Sequence, residues 1–151
     1  MRLIIVFVVL FAFASCKKSG NSNCQDGPGC GANIECVAFW SYFEFRLTDK
    51  NTGQDLVFGN NPRYQISDIK IYSDAARTYP MNNLRADNAA GKFTLMTARP
   101  EMYLEIKGSD VYKLTAEFRG YGCCANRVKN LWQDDQMVCT CCDSVIPLAV
   151  R

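Results

Sequence analysis

The chain has 151 residues, with 17 lysines and arginines against 15 aspartates and glutamates, and it contains no histidine. The near-neutral balance argues against nucleic acid as a partner, because proteins that bind nucleic acid present a basic surface. The lack of histidine excludes Ser-His-Asp and Cys-His nucleophile pairs of the usual kind and removes the commonest metal ligand. No catalytic constellation is recognisable, so we expect the protein not to be an enzyme.

The first 16 residues have the pattern of an export signal. A positive start at Met1 and Arg2 is followed by an unbroken apolar run over residues 3–14, then by Ser15 and Cys16. This run is short for a permanent span, since a membrane-spanning helix needs about 20 apolar residues. The pattern predicts a signal peptide over residues 1–15.

The end of this segment, Phe13 to Cys16 (FASC), resembles the lipobox of bacterial lipoproteins of the Gram-negative type. The family favours leucine where Phe13 stands. The resemblance implies that the Cys16 thiol receives a diacylglyceryl group, that the signal is cut off before Cys16, and that the new amino terminus is acylated. More than one acyl chain is needed for stable anchoring. The alternative is an ordinary secretory signal with an incidental cysteine.

Residues 17–23 follow Cys16 directly and are polar, which predicts a flexible tether over residues 16–23. They contain no aspartate, and in such lipoproteins this favours transfer to the outer membrane. They also lack the acidic residues that mark surface-exposed lipoproteins in some lineages. The resemblance therefore implies an outer-membrane lipid anchor with the domain facing the periplasm rather than the cell surface. The lipid on Cys16 is the only bound group that we expect.

Residues 24–151 are long enough for one domain with a hydrophobic core. Cys16 lies before this domain, which contains the other eight of the nine cysteines. An even number of cysteines in an exported domain predicts a disulfide framework. Zinc held by thiolates is the weaker interpretation, because the spacings lack paired Cys-x-x-Cys knuckles. The candidates cluster near both ends of the domain, so we expect disulfides to tie these ends together. They are Cys24, Cys30, Cys36, Cys123, Cys124, Cys139, Cys141 and Cys142.

Alternation of apolar and polar side chains recurs along the domain and is typical of β-strands. In the first such segment Phe43, Phe45 and Leu47 share one face. Turn-forming residues separate the segments, and none shows a helical stripe. Strands are predicted over residues 37–48, 64–72, 92–97, 101–107 and 111–118, with weaker candidates over 128–132 and 136–141 and an edge strand containing a proline over 145–150.

About seven short strands at intervals near ten residues predict an all-β domain. We expect an antiparallel β-sandwich of the immunoglobulin-like kind, and a small β-barrel is the alternative. Nothing in the sequence indicates an internal repeat or a second domain.

Four aromatic residues, Trp40, Tyr42, Tyr121 and Trp132, are candidates for a platform that binds a glycan or a peptide, with packing against the sheet as the alternative. A calcium loop beginning at Asp49 is the weaker interpretation of a segment that reads as a hairpin turn. Glu101 and Glu105 share a strand face about 13 Å apart, which is too far for the carboxylate pair of a glycosidase.

These patterns predict a non-catalytic binding or structural module of the cell envelope, anchored to the membrane by lipid and able to contact an envelope protein or a glycan. The alternative is an envelope enzyme or enzyme inhibitor with a site on its loops. The two classes differ structurally. A binding module is expected to expose an apolar patch or an edge strand, whereas an enzyme gathers perturbed acids in a pocket.

Overall fold

The computed structural model describes residues 24, 40–108, 110–121 and 123–151, with Trp40 described by its backbone alone. The predicted signal, Cys16, the tether, Cys30 and Cys36 lie outside the described residues. Among those described, no helix is long and apolar enough to cross a membrane. The elements are β1 (Trp40–Asp49), a short 3-10 helix (Ile66–Asp68), β2 (Ile69–Tyr72), β3 (Leu84–Asp87), β4 (Lys92–Met96), β5 (Glu101–Ile106), β6 (Val111–Tyr121), β7 (Ala125–Gln133), β8 (Gln136–Thr140) and β9 (Ile146–Val150).

One face of the sheet forms the hydrophobic core. On β1 the side chains of Phe43, Phe45 and Leu47 are buried whereas Arg46 between them is exposed, as the alternation in the sequence predicts. Each fully buried side chain of this size contributes about 1.5–3 kcal/mol. The fully buried side chains also include Ile71, Phe93, Leu95, Met102, Leu104, Ile106, Leu114, Val128, Leu131 and Leu148.

The nine strands of the described part of the chain belong to one mixed sheet, with the order β2-β5-β6-β7-β1-β4-β3; β8 pairs with β7 and β9 pairs with β1. The central strand β1 is antiparallel to β4, but it runs parallel to β7 at its start and parallel to β9 over residues 45–49. The sheet curls until it is nearly closed, like a small barrel. β1 is therefore the strand around which the fold is organised.

The all-β prediction is confirmed, and the alternative of a small barrel fits this sheet. The immunoglobulin-like sandwich is not confirmed, and the expectation of purely antiparallel pairing is wrong for β1. Alternation of side chains identifies which face of a strand is buried, but it carries no information about which strand lies beside it. The parallel neighbours of β1, β7 and β9, come from the far end of the chain, and nothing in the alternation of their side chains assigns them to β1.

Two segments differ from the strands expected from the sequence. The predicted strand over residues 64–72 begins at Ile69, because the carboxylate of Asp68 accepts the Gln65 N–H at 2.9 Å and the backbone turns there instead of extending. The strand β3 was not predicted, since its four residues contain only Leu84 and Ala86 as apolar positions. That short strand shapes the site described below.

Disulfides join the two ends of the domain, in agreement with the expectation from the sequence. Cys24 is bonded to Cys141 across 117 positions of the chain, and Cys139 of β8 is bonded to Cys142 in the segment that follows it. Cys123 and Cys124 are also disulfide-bonded. The long-range bridge ties the start of the domain to the link between the last two strands.

Candidate functional site

The two end strands of the sheet, β2 and β3, lie on either side of an opening. β2 is hydrogen-bonded to β5, and β3 is hydrogen-bonded to β4. The opening has a volume of about 350 Å³, and we call it the β2–β3 cleft. Its apolar lining includes Ile66, Ile69, Ile71, Met81, Leu84 and Phe93.

The segment that leads into β3 explains why the cleft opens. The Met81 N–H donates to the carbonyl of Ile71 at 2.8 Å, so the segment first pairs with β2. Two residues later, the carbonyl of Asn83 accepts a hydrogen bond from the Met96 N–H at 3.3 Å, so the segment then pairs with β4. β2 and β3 separate beyond this change of partner, and the cleft occupies the space between them.

Both edges of the cleft present backbone hydrogen-bonding groups. In an antiparallel pair, alternate residues direct their N–H and C=O groups to the same side. Because the Ile71 carbonyl accepts from Met81, the backbone groups of Ile69 and Ile71 are directed away from β5 and toward the cleft. The same alternation directs those of Leu84 and Ala86 away from β4.

Of the two edges, that of β3 is the open one. The Met81 backbone already covers β2 at Ile71, and the Ile69 N–H donates to the Ile66 carbonyl. By contrast, no described residue bonds to the edge-facing backbone groups of Leu84 and Ala86. The edge of β3 therefore favours an extended partner that supplies both donors and acceptors.

The floor of the cleft is apolar and reachable by solvent. Leu84 and Ala86 lie directly opposite Leu95 and Phe93, which are fully buried, so all four face the inside of the curled sheet. Leu84 is nevertheless only half-buried and Ala86 is exposed. Inward-facing positions become exposed in this way where no strand covers them.

Two basic side chains flank the cleft on the outer face of the sheet. Lys70 stands between the buried Ile69 and Ile71, and it lines the cleft. Arg85 holds the equivalent outward position on β3, and both cations are exposed. Neither takes part in an ion pair among the described residues. The rim of the cleft therefore carries two cations without an ion pair in the described part of the chain, while Asp87 lies on the same face of β3 and Glu105 stands opposite Lys70 on β5.

The structure brings together two of the four aromatic residues proposed as a platform. The guanidinium carbon of Arg127 lies 5.5 Å from the ring centroid of Tyr42 and 4.3 Å from that of Tyr121. Trp132 lies further along β7, opposite Thr115 of β6. The side chain of Trp40 is outside the described residues.

Arg127 has several partners and is not free to receive a ligand. Its guanidinium donates to the Tyr42 hydroxyl and to the backbone carbonyl of Asp143, each at 3.1 Å. Burial lowers the pKa of Arg127, but the hydrogen bond to Tyr42 and the nearby phenol and carboxylate groups raise it by more. Arg119 also binds the Asp143 carboxylate at 2.6 Å. The cluster fastens the disulfide-bonded segment to the sheet, and the space beside it is only about 10 Å³.

The carboxyl groups considered in the sequence act within turns and surface pairs. The carboxylate of Asp49 accepts the N–H groups of Thr52 and Asn51 at 2.8 and 2.9 Å, and these bonds lower its pKa. The Tyr103 hydroxyl and Lys113 lower the pKa of Glu101. Within the described ranges, no three metal-ligating side chains of histidine, cysteine, aspartate or glutamate come together. Asp49 stabilises a hairpin turn rather than opening a calcium loop.

No protein-family model, curated protein or solved structure matches this chain. The geometry of the cleft is therefore the main guide to function, because function resides in sites rather than in the fold as a whole. Sequence reasoning missed this site together with β3. The available signal was four residues long, with Leu84 and Ala86 alternating with charged neighbours.

Proposed function

We propose that this protein is a lipid-anchored lipoprotein of the bacterial cell envelope whose domain is a non-catalytic binding module. The observation that supports the binding role is the β2–β3 cleft. It combines an apolar floor with the open edge of β3, which still has hydrogen-bonding capacity. Exposed edges of this kind pair with extended segments of other chains.

Two further observations support the envelope location. The disulfides of the domain persist in an oxidising compartment, such as the periplasm, and are rare in the cytosol. The lipobox-like residues before Cys16 supply the means of anchoring, so the membrane is a partner through the lipid. In this proposal the protein sits in the outer membrane facing the periplasm, requires no other cofactor, and contacts an envelope protein rather than nucleic acid.

The surface acids whose pKa is shifted serve as hydrogen-bond acceptors within turns and surface pairs. A general acid working near neutral pH needs a carboxyl group whose pKa is raised. The described carboxyl groups whose pKa departs from the ordinary value, Asp49, Asp74 and Glu101, are all shifted downward by hydrogen bonds. These acids are held ionised and act as hydrogen-bond acceptors.

The anchor is tested by Cys16→Ala expressed in a bacterial host. Without the thiol, the lipid cannot be attached, so the precursor is expected to keep its signal and to lack the mass of the acyl chains. Mass spectrometry of the intact protein measures both. Ser19→Ala, in the predicted tether, is the matched control and should mature normally. Normal processing and membrane retention of Cys16→Ala would refute the lipoprotein proposal.

The binding role is tested by photo-crosslinking in intact cells. A photoreactive amino acid is placed at Ala86 in the cleft and, as a control, at the exposed Asn61 in a loop. We expect a discrete adduct with an envelope component from position 86 and none from position 61, as seen by gel shift and mass spectrometry. The same adducts from both positions, or none from position 86, would contradict a binding role for the cleft.

A further inference from the structure

The chemistry of the β2–β3 cleft specifies its partner. We propose that the cleft takes an extended peptide segment, which adds to the free edge of β3 as a strand and presents alternating apolar and acidic side chains. This inference rests on the proposed binding function and names the partner class for that site.

The backbone geometry favours a strand over a compact ligand. Leu84 and Ala86 direct two N–H and two C=O groups into the cleft, at the spacing of alternate residues in a strand. The edge of β2 is covered by Met81 at Ile71, so the hydrogen bonds of an added strand go to β3. An extended segment matches this spacing, because each of its residues carries one donor and one acceptor.

The inner face of the cleft selects apolar side chains. An added strand places every second side chain on the inner face, where it meets Ile71, Leu84 and Phe93. These residues already belong to the core or pack against it. Burial of Leu84 and Ala86 by the added strand removes apolar surface from water, which supplies the driving force for binding.

The outer face of the cleft selects acidic side chains. The remaining side chains of an added strand point outward, between Lys70 on one side and Arg85 on the other. Both cations are exposed and have no ion-pair partner among the described residues. Opposite charges on neighbouring strands contribute about 0.2–1 kcal/mol for each pair, and like charges oppose pairing.

The same charges disfavour a second copy of this chain as the occupant. Pairing of β3 with β3 of another copy centred on Arg85 would bring Arg85 against its own counterpart, and pairing of β2 with β2 centred on Lys70 would do so for Lys70. Exposed lysine and arginine on edge strands commonly prevent such self-association. The length of β3, four residues, limits the paired part of the peptide to about 13 Å.

Fluorescence polarisation with synthetic peptides tests the proposal on the full chain purified in detergent. The probe peptide alternates valine and glutamate over about five residues. One comparison peptide has lysine in place of glutamate, and another has N-methyl groups that remove the backbone donors from one edge. We expect the acidic peptide to bind at least about tenfold more tightly than either, a difference of about 1.4 kcal/mol.

Charge reversal at the rim provides a readout that does not depend on loss of folding. Lys70→Glu with Arg85→Glu should reverse the preference, so that the lysine peptide binds more tightly than the glutamate peptide. Arg46→Glu with Lys129→Glu makes the same change in net charge at exposed positions outside the cleft and should leave the preference unchanged.

The outcomes separate this inference from the proposed function. Reversed preference in the rim variant alone supports strand addition. Equal binding of all three peptides, or a preference that also reverses in the control variant, overturns it. Concentration-dependent dimers in sedimentation that disappear on Ala86→Pro would assign the cleft to a second copy instead. If no peptide binds while position 86 still crosslinks in cells, the strand model fails but the binding module stands.

Discussion

Individual side chains hold the site in place through burial on one face and hydrogen bonds on the other. Phe93 illustrates the first role, because it is fully buried, stacks 5.3 Å from Phe45 and also forms the floor of the cleft. The core and the site therefore share an aromatic cluster. A change deep in the core is expected to reach the cleft through this contact.

At this scale we predict that Phe45→Ala lowers the free energy of unfolding by about 3–5 kcal/mol, because a fully buried ring leaves a cavity when it is removed. Urea unfolding followed by tryptophan fluorescence measures the change. Tyr79→Ala is the control, since Tyr79 is 67% exposed and should cost less than about 0.5 kcal/mol. Equal losses in the two variants would contradict the placement of Phe45 in the core.

At the scale of elements, the sequence predicted the strands whose buried side chains recur at every second position. It missed β3, which has no buried side chain. The predictions for β4 and β5 agree closely with the structure, because their buried apolar residues recur at every second position. The prediction for β9 also agrees, although its apolar run is continuous and contains Pro147. β3 has no such pattern, since Ala86 contributes little hydrophobic contrast and the strand is short. A strand at the open edge of a sheet buries few side chains, so its sequence shows the weakest alternation of apolar and polar residues.

The cleft was unpredictable for a related reason. Its two walls, β2 and β3, are not hydrogen-bonded to each other along the cleft, and their opposition depends on how the whole sheet curls. Lys70 and Arg85 are each ordinary exposed cations in the sequence, and only the topology places them on the same rim. The aromatic platform was inferred from residue type alone, and the structure gives Tyr42 and Tyr121 an arginine to pack on.

At the scale of the whole molecule, the bridge between Cys24 and Cys141 restrains nearly the entire domain. We predict that replacing both cysteines by serine lowers the free energy of unfolding by up to about 5 kcal/mol, because a long loop is no longer closed in the unfolded chain. Other disulfides already restrict that loop, so this figure is an upper value.

The matched comparison for this prediction is the double replacement of Cys139 and Cys142, whose bridge spans only three positions. The chain-entropy model gives about 2 kcal/mol for so short a loop. Both variants keep an even number of thiols and are compared by thermal unfolding under non-reducing conditions. A larger loss from the short bridge would contradict the entropic account of how the ends of the domain are held.

The parallel pairing of β1 with β9 has a consequence for the order in which the molecule can be built. β1 is the first strand among the described residues, and half of its length is bordered by the five residues of β9, near the carboxyl end. Contacts so distant in sequence form late and slowly. The central strand therefore remains unfinished until residues 146–150 have been synthesised. In an exported chain, as we propose this one to be, the delay would keep the chain extended while it passes through a translocation channel and leave closure of the sheet to the far side of the membrane.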